Sequence, residues 1–344
     1  MTLTREVVVH ATTAEWLEAR RRDVTSTEAA ALFNAGVYTK TFYQLFHLKA
    51  GVIQPDEVDA DADRIKWGNR LETPIALGIA EDLGLVVEPF KVYMRIPELR
   101  MGSSFDFKVV GLADGYEGDQ TYRDLFREHG PGIMEVKNVD GLQFKRAWLG
   151  DGEVIEAPVH IEAQVQHQLE VADLNWAIVA PLVGGNTPRP LYRLRDRNVG
   201  GAIRDKVEEL WARINAGAAP APDFTKDGDT IAQVFRDNDG SSIDLSDNPR
   251  VAQLCKSYTN ASAAARAAAK TKDAAKAELL TIIKAAKSVL YEGGKISAGT
   301  TKPCFRAYYR SPSEKITVTL TEIAGGHVEA EVPAYRNLRI TEDA

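Results

Sequence analysis

The sequence predicts an α/β fold for its first 218 residues, followed by a helical and then strand-rich extension over 219–344. Three observations carry this expectation. Strand-like and helix-like periodicities alternate between residues 13 and 217. The run "AAPAPD" (218–223) reads as a linker. Residues 250–291 then turn rich in Ala and Lys, a composition that favours helix.

Residues 13–34 read as a helix start and a turn, with Thr25, Ser26 or Thr27 placed to cap a following helix and Glu28 in its first turn. In "WGNRLETPIALGIAEDLG" (67–84), Leu71, Ile75 and Ile79 fall four apart, an amphipathic helix ending at Gly84 with Glu72 near its start. Strand-like runs follow at 85–94, 105–110 and 132–137. The connection "LADGYEGDQTYRDLFREHGPG" is long and polar, an insertion more than a tight hairpin. Residues 158–173 read as a helix. His160, Gln164 and Gln168 line one stripe of it, and Ile161, Val165 and Leu169 the neighbouring apolar one. Strands at 175–183 and 190–195 and a helix at 201–217 close this part. Beyond the linker we expect one long helix or a helical hairpin over 250–291, then a β-rich tail including "CFRAYYR" and "KITVTLTEI".

Composition excludes several classes. No apolar run approaches the roughly 18 residues of a membrane span. The opening "MTLTREVVVHATTAEW" lacks a basic segment followed by an apolar core, so we expect no secretory signal and a cytoplasmic location. Cys255 and Cys304 are the only cysteines, too few for a disulfide framework or a four-cysteine metal site. A formal net charge of −7 argues against a passive nucleic-acid-coating protein, though not against an enzyme with local basic groups. Two such clusters exist: Arg20, Arg21 and Arg22, and Arg189, Arg193, Arg195 and Arg197. Either reads equally as solvated surface.

The stretch "GIMEVKN" (132–138) carries the chemistry. In a strand, Glu135 and Lys137 share a face while Val136 points into the core. A carboxylate beside the Val136 carbonyl suits a hard cation such as Mg²⁺. Lys137 can hold a water and offset charge on a phosphate. Alone the pattern is weak, and Asp106-Phe107-Lys108 repeats it. Asp106, however, lies in an aromatic- and valine-rich run where an unpaired carboxylate is costly. A metal shared with Glu135 would give it a partner, with Glu72 as a third acidic group. Two Mg²⁺ ions can stabilise both oxygens of an in-line displacement at phosphorus. Standing alone, Glu72 would better suit the helix dipole than a catalytic role. His160 and His167 are read as structural, and Trp16 and Trp67 as core or end-packing residues.

Five blocks, "RRRDVTSTEAA", "WGNRLETPIA", "SSFDF", "MEVK" and "IEAQVQHQLEVAD", occur in the order seen in the phage lambda exonuclease and YqaJ-like viral recombinase family. The sequence resembles that family, part of the PD-(D/E)XK or restriction-endonuclease-like superfamily, over roughly residues 13–217. The resemblance implies a mixed sheet flanked by helices. Glu72, Asp106, Glu135 and Lys137 match its catalytic positions, and Gln164 its active-site glutamine. Arg20, Thr27 and Ser104 match positions that grip the 5′-phosphate. Departures are Thr27 for a serine, Phe105 for a proline, Ile161 for a tyrosine, a longer segment between Asp106 and Glu135, and the 219–344 extension.

The expected function is a Mg²⁺-dependent 5′→3′ exonuclease, with Mn²⁺ as substitute and two ions per site. It would digest one strand of linear double-stranded DNA to 5′-mononucleotides and leave 3′ overhangs for recombination by single-strand annealing. A homo-oligomeric ring, commonly a trimer, a single-strand-annealing partner, a phage or prophage origin and action in the bacterial cytoplasm are implied by resemblance alone. The alternatives are a structure-specific or single-strand endonuclease of the same superfamily, and a non-catalytic DNA-binding recombination module.

Overall fold

The computed structural model describes residues 3–8, 12–37, 39–55, 63–149, 154–292 and 294–300, and backbone segments 304–309, 321–323, 327–332 and 336–342. It divides into two compact units, Met1–Asp239 and Gly240–Ala344.

In chain order the first unit contains β1 (Glu6–Val8), α1 (Thr13–Arg22), β2 (Val24–Thr25), a 3-10 helix (Ser26–Phe33), α2 (Phe42–Lys49), α3 (Asp63–Asp82), β3 (Leu85–Pro89), β4 (Tyr93–Ile96), β5 (Met101–Ser104), β6 (Phe107–Leu112), α4 (Thr121–His129), β7 (Gly132–Val139), α5 (Gly141–Ala147), α6 (Val159–Ala172), β8 (Trp176–Val183), β9 (Thr187–Pro188), β10 (Leu191–Leu194), α7 (Arg197–Ala216) and α8 (Gly228–Val234). Two mixed sheets result. One runs β1-β4-β5-β2; the other runs β10-β8-β7-β6-β3, with β9 on β8. β7 pairs antiparallel with β6 and parallel with β8.

The alternation of β7 explains how the second sheet packs. Met134 and Val136 join Phe107, Val109, Trp176 and Ile178 against Ile75 and Ile79 of α3 and Tyr122 of α4. Ile133 faces the other way, with Ala177 and Val179, toward Val165 and Leu169 of α6 and Ile203 of α7. Burying apolar residues on both faces makes this strand nearly continuous in hydrophobicity, apart from the polar positions that line the site.

Several elements depart from expectation. α3 begins at Asp63, so Glu72 stands in mid-helix and not at a helix start, which removes the helix-dipole explanation. The run expected as a strand at 105–110 starts at Phe107, leaving Asp106 at a bend before β6. The polar connection after β6 contains α4. Its Arg123 is buried and donates to the carbonyls of Gly84 (2.6 Å) and Ala113 (2.7 Å). Residues 13–34 form α1, a two-residue strand and a 3-10 helix; Thr25 caps the last of these with Glu28 in its first turn, as expected, and only its 3-10 geometry differs. The first unit runs to Asp239, past the linker expected at 218, because Asp227 is buried there. Its carboxylate accepts from the Asp223 N–H (2.7 Å) and the Thr41 hydroxyl, strapping the segment to the start of α2.

His167 of α6 is fully buried. One ring nitrogen meets the Val24 carbonyl at 3.2 Å, and burial lowers its pKa to about 4. The unfolded chain would protonate near the ordinary value while the native state resists. Its stabilising contribution is therefore complete above about pH 6.5 and is lost progressively as pH falls toward about 4. We expect this group to remove about 2 kcal/mol between pH 8 and 5. Chemical denaturation of the protein and of His167→Asn across that range would check it; equal pH slopes in the two would disprove the assignment.

In the second unit, α9 (Pro249–Ile283) is one continuous helix. Asn248 caps it, its side chain accepting from Arg250 N (3.0 Å). The helix ends before the expected 291: β11 (Ser288–Tyr291) pairs with β12 (Gly294–Thr300). Strand pairing overrides the helical propensity of "KAAKSVLY". With β13 (Cys304–Tyr309), β14 (Thr321–Ile323), β15 (His327–Val332) and β16 (Arg336–Glu342), two antiparallel three-stranded sheets form, β11-β12-β16 and β13-β15-β14. Residues 315–320 of the run "KITVTLTEI" lie outside the described residues.

Candidate active site

The β6–β7 register pairs Phe107 with Met134 and Lys108 with Ile133. Extending it by one residue sets Asp106 opposite Glu135. The Val136 N–H donates to Asp106 Oδ2 at 2.8 Å, and the Asp106 carbonyl accepts from Phe90 N at 2.9 Å, so the bend is pinned on both sides. Asp106, Glu135 and Lys137 thus meet on the sheet face that α6 covers.

Glu135 is buried, and both its oxygens accept hydrogen bonds. Oε1 accepts from Lys137 Nζ (2.6 Å) and Gln164 Nε2 (2.6 Å), and Oε2 from Gln168 Nε2 (2.6 Å). Lys137 Nζ also reaches Gln164 Oε1 at 3.3 Å. The i, i+4 spacing of the two glutamines on α6 aims both amides at one carboxylate. Three bonds occupy three of its about four lone-pair sites and leave one for a cation.

Asp106 is the perturbed group. Burial first, then the charges of Glu135 and Glu72, raise its carboxyl well above the usual range, against the opposing Val136 N–H and Lys137. Glu72 approaches from α3, where Lys91 Nζ pairs with it. Among the described residues no three His, Cys, Asp or Glu side chains form a metal-holding group by themselves. The donor set fits an ion that needs only one or two carboxylates and keeps its waters, as Mg²⁺ does, and a cation would relieve the charge crowding around Asp106.

Arg20, Thr27 and Ser104 are also brought together. Arg20 Nη2 donates to Thr27 Oγ1 (3.2 Å), and its guanidinium lies 4.5 Å from the Trp16 ring centre. Trp16 Nε1 donates to Ser104 Oγ at 3.1 Å. Beneath this pocket, Lys49 Nζ holds the carbonyls of Asp23 (2.7 Å) and Arg20 (3.2 Å) and the Glu28 carboxylate (2.8 Å). Burial works to raise the Glu28 carboxyl, but Lys49 and the Thr25 donors hold it below the usual range. The fully buried Asp23 accepts from Arg95 Nε (2.9 Å) and Nη2 (2.7 Å) and from the Tyr93 hydroxyl (3.1 Å), fixing β4 to the start of β2. Gly102 is required beside it, since a Cβ there would stand 2.0 Å from the Tyr93 hydroxyl.

Residues 15–175 match the YqaJ-like viral recombinase domain. Every residue of the carboxylate cluster and of the arginine–hydroxyl pocket falls within the matched residues. Among solved structures, the chain is similar to LHK-Exo, an alkaline exonuclease from Laribacter hongkongensis. Identity is 18% and the TM-score 0.42, covering 60% of this chain and 94% of that one, both for that crystal structure and for the one in complex with dAMP. A more distant likeness, to SSO0001, has 10% identity and a TM-score of 0.29 over 66% of this chain and 97% of that one. No curated protein matches the chain.

Sequence reasoning put Gln168 on the same stripe of α6 as Gln164 but gave it no role. The signal was its four-residue spacing from Gln164. The Trp16 bridge and Lys91 had no sequence signature. The basic cluster at 189–197 is largely spent: Arg193 pairs with Glu162, and Arg195 with Glu170 and Asp173. His160, half-buried on α6, is held below the usual imidazole range by burial and by the charge of Lys137. No described helix is long and apolar enough to cross a membrane.

Proposed function

We propose that this protein is a Mg²⁺-dependent 5′→3′ exonuclease that digests one strand of linear double-stranded DNA to 5′-mononucleotides. The observation that supports this best is the pairing of Asp106 with Glu135 across β6 and β7, with Lys137 bonded to Glu135 and Gln164. Asp106 and Glu135 would hold the metal, with the Val136 carbonyl and Glu72 as further oxygen donors; Mn²⁺ would serve as substitute, and a second ion would sit nearer Glu72. Such an ion offsets negative charge on the scissile phosphate. Lys137 donates a hydrogen bond to the attacking water and Gln164 steadies that lysine. Water oxygen bonds to phosphorus as the water gives up a proton to solvent, the P–O3′ bond breaks, and the departing 3′ oxygen takes up a proton. The shortened strand then carries a new 5′-phosphate.

Arg20, Thr27 and Ser104 are the seat for that phosphate. Arginine suits it, with a planar fork that bonds phosphate bidentately and stays charged. The same reading extends to a homo-oligomeric ring around the duplex, a single-strand-annealing partner and action in the bacterial cytoplasm during phage-type recombination.

The test is to incubate the protein with Mg²⁺ and linear duplex carrying a 5′-phosphate or a 5′-hydroxyl, beside a covalently closed circle. The phosphorylated duplex should disappear first, and Arg20→Ala should erase most of that preference. Cutting of the circle would turn the assignment to an endonuclease. Loss of no DNA at all would leave a binding module.

A further inference from the structure

The Gln168 side-chain amide joins the two halves of the site. It is 1% exposed, and its single Nε2 donates to Glu135 Oε2 (2.6 Å) and to the backbone carbonyl of Ser104 (3.1 Å). Ser104 Oγ in turn accepts from Trp16, whose ring carries Arg20. A continuous set of contacts therefore runs from the arginine–hydroxyl pocket to the carboxylate that faces Lys137.

Only one orientation of this amide works. Both partners are acceptors, so both amide hydrogens must point at them, and the Gln168 Oε1 atom is left buried without a protein partner. A buried unpaired carbonyl costs stability, and an apolar side chain of the same length would fill this space without that cost. Packing alone does not account for a glutamine here. The amide's two simultaneous bonds do.

We infer that Gln168 is a positioning residue that couples the 5′-phosphate seat to the carboxylate centre, so that a bound phosphorylated end and a bound divalent ion each strengthen the other. The inference rests on the proposed nuclease function. α6 is a continuous helix anchored in the core, so a shift of Ser104 toward a phosphate reorients the Glu135 oxygen that Gln168 holds. Coupling of this kind is reciprocal between the two ligands.

The experiment measures binding as well as turnover. Fluorescence anisotropy compares 5′-phosphorylated with 5′-hydroxyl duplex, in EDTA and in Ca²⁺, for the protein, Gln168→Met and Gln168→Asn, with thermal unfolding of each. In the native protein Ca²⁺ should raise the preference for the phosphorylated end by about fivefold or more. In Q168M the EDTA preference should stay within about twofold of native while the ion-dependent gain disappears, and the kcat ratio between the two ends in Mg²⁺ should fall with it. A folded Q168M or Q168N that keeps the full gain would overturn the inference. Unfolding of both variants would do so too, assigning Gln168 to the fold. If the native protein degrades DNA but shows no gain, the inference fails alone; if it degrades none, the nuclease proposal fails and takes the inference with it.

Discussion

Replacing Lys137 with methionine is expected to slow DNA hydrolysis about 10²–10³-fold, the usual loss when a donor aimed at developing charge is removed. Methionine keeps the stem that crosses the sheet face and deletes only the ammonium. The competing explanation is structural, with Lys137 serving as counter-charge to buried Glu135. That reading predicts a large fall in stability and an equal fall in DNA affinity. Here Glu135 keeps its bonds from Gln164 and Gln168 when the lysine is gone, so melting temperature should change little and binding in EDTA should stay within a few-fold. Single-turnover hydrolysis beside equilibrium binding separates the two. Near-native hydrolysis would remove Lys137 from the chemistry altogether.

The largest stability effect should come from a site with no part in catalysis. Glu170 of α6, 2% exposed, binds Arg195 (2.8 Å) and Arg204, and Arg195 is itself 5% exposed. The backbone of α7 comes so close that a Cβ on Gly200 would stand 2.6 Å from Glu170 Oε2. Glu170→Ala would strand a buried guanidinium with Asp173 as its remaining acidic partner, a change that costs about 3–5 kcal/mol. For a unit of this size that is a fall of roughly 10 °C in melting temperature. Glu162→Ala is the internal control: its pair with Arg193 is only half-buried, at 26% and 31% exposed, and should be worth about 1 kcal/mol. Equal losses in the two variants would mean that burial does not govern these pairs.

What the sequence made legible follows from which signals are local. The four-residue stripes of α6 and the period-two alternation of "GIMEVKN" were readable because side-chain direction depends only on the element's own geometry. They set Glu135 and Lys137 on one face of the strand, and Gln164 and Gln168 on one stripe of the helix. The position of Glu72 in its helix was misjudged because α3 extends upstream of the run beginning at Trp67, through Asp63, Arg64 and Ile65. α4 was hidden by the polar residues Arg123, Asp124 and Arg127, although Tyr122 packs into the core and Leu125 and Phe126 against it. The strand at 288–291 depends on a partner further along the chain, and local propensity favours helix there. Trp16 and Lys91 act through contacts spanning 88 and 19 positions respectively, which no local pattern encodes.

The parallel pairing of Val24 with Met101, and of β7 with β8 across α5 and α6, also sets a chronology. Contacts this distant in sequence form late, because a long loop must close before they bring any gain. From Arg20 to Gln168 the ribosome adds 148 residues (168 − 20), which takes roughly 7–30 s at ordinary synthesis rates. Throughout that interval the nascent chain holds Arg20 and, progressively, the three carboxylates, but not the helix that orients Glu135. A product truncated before residue 168 therefore carries the acidic residues in an unassembled state, and the cell meets the assembled centre only once translation has passed α6.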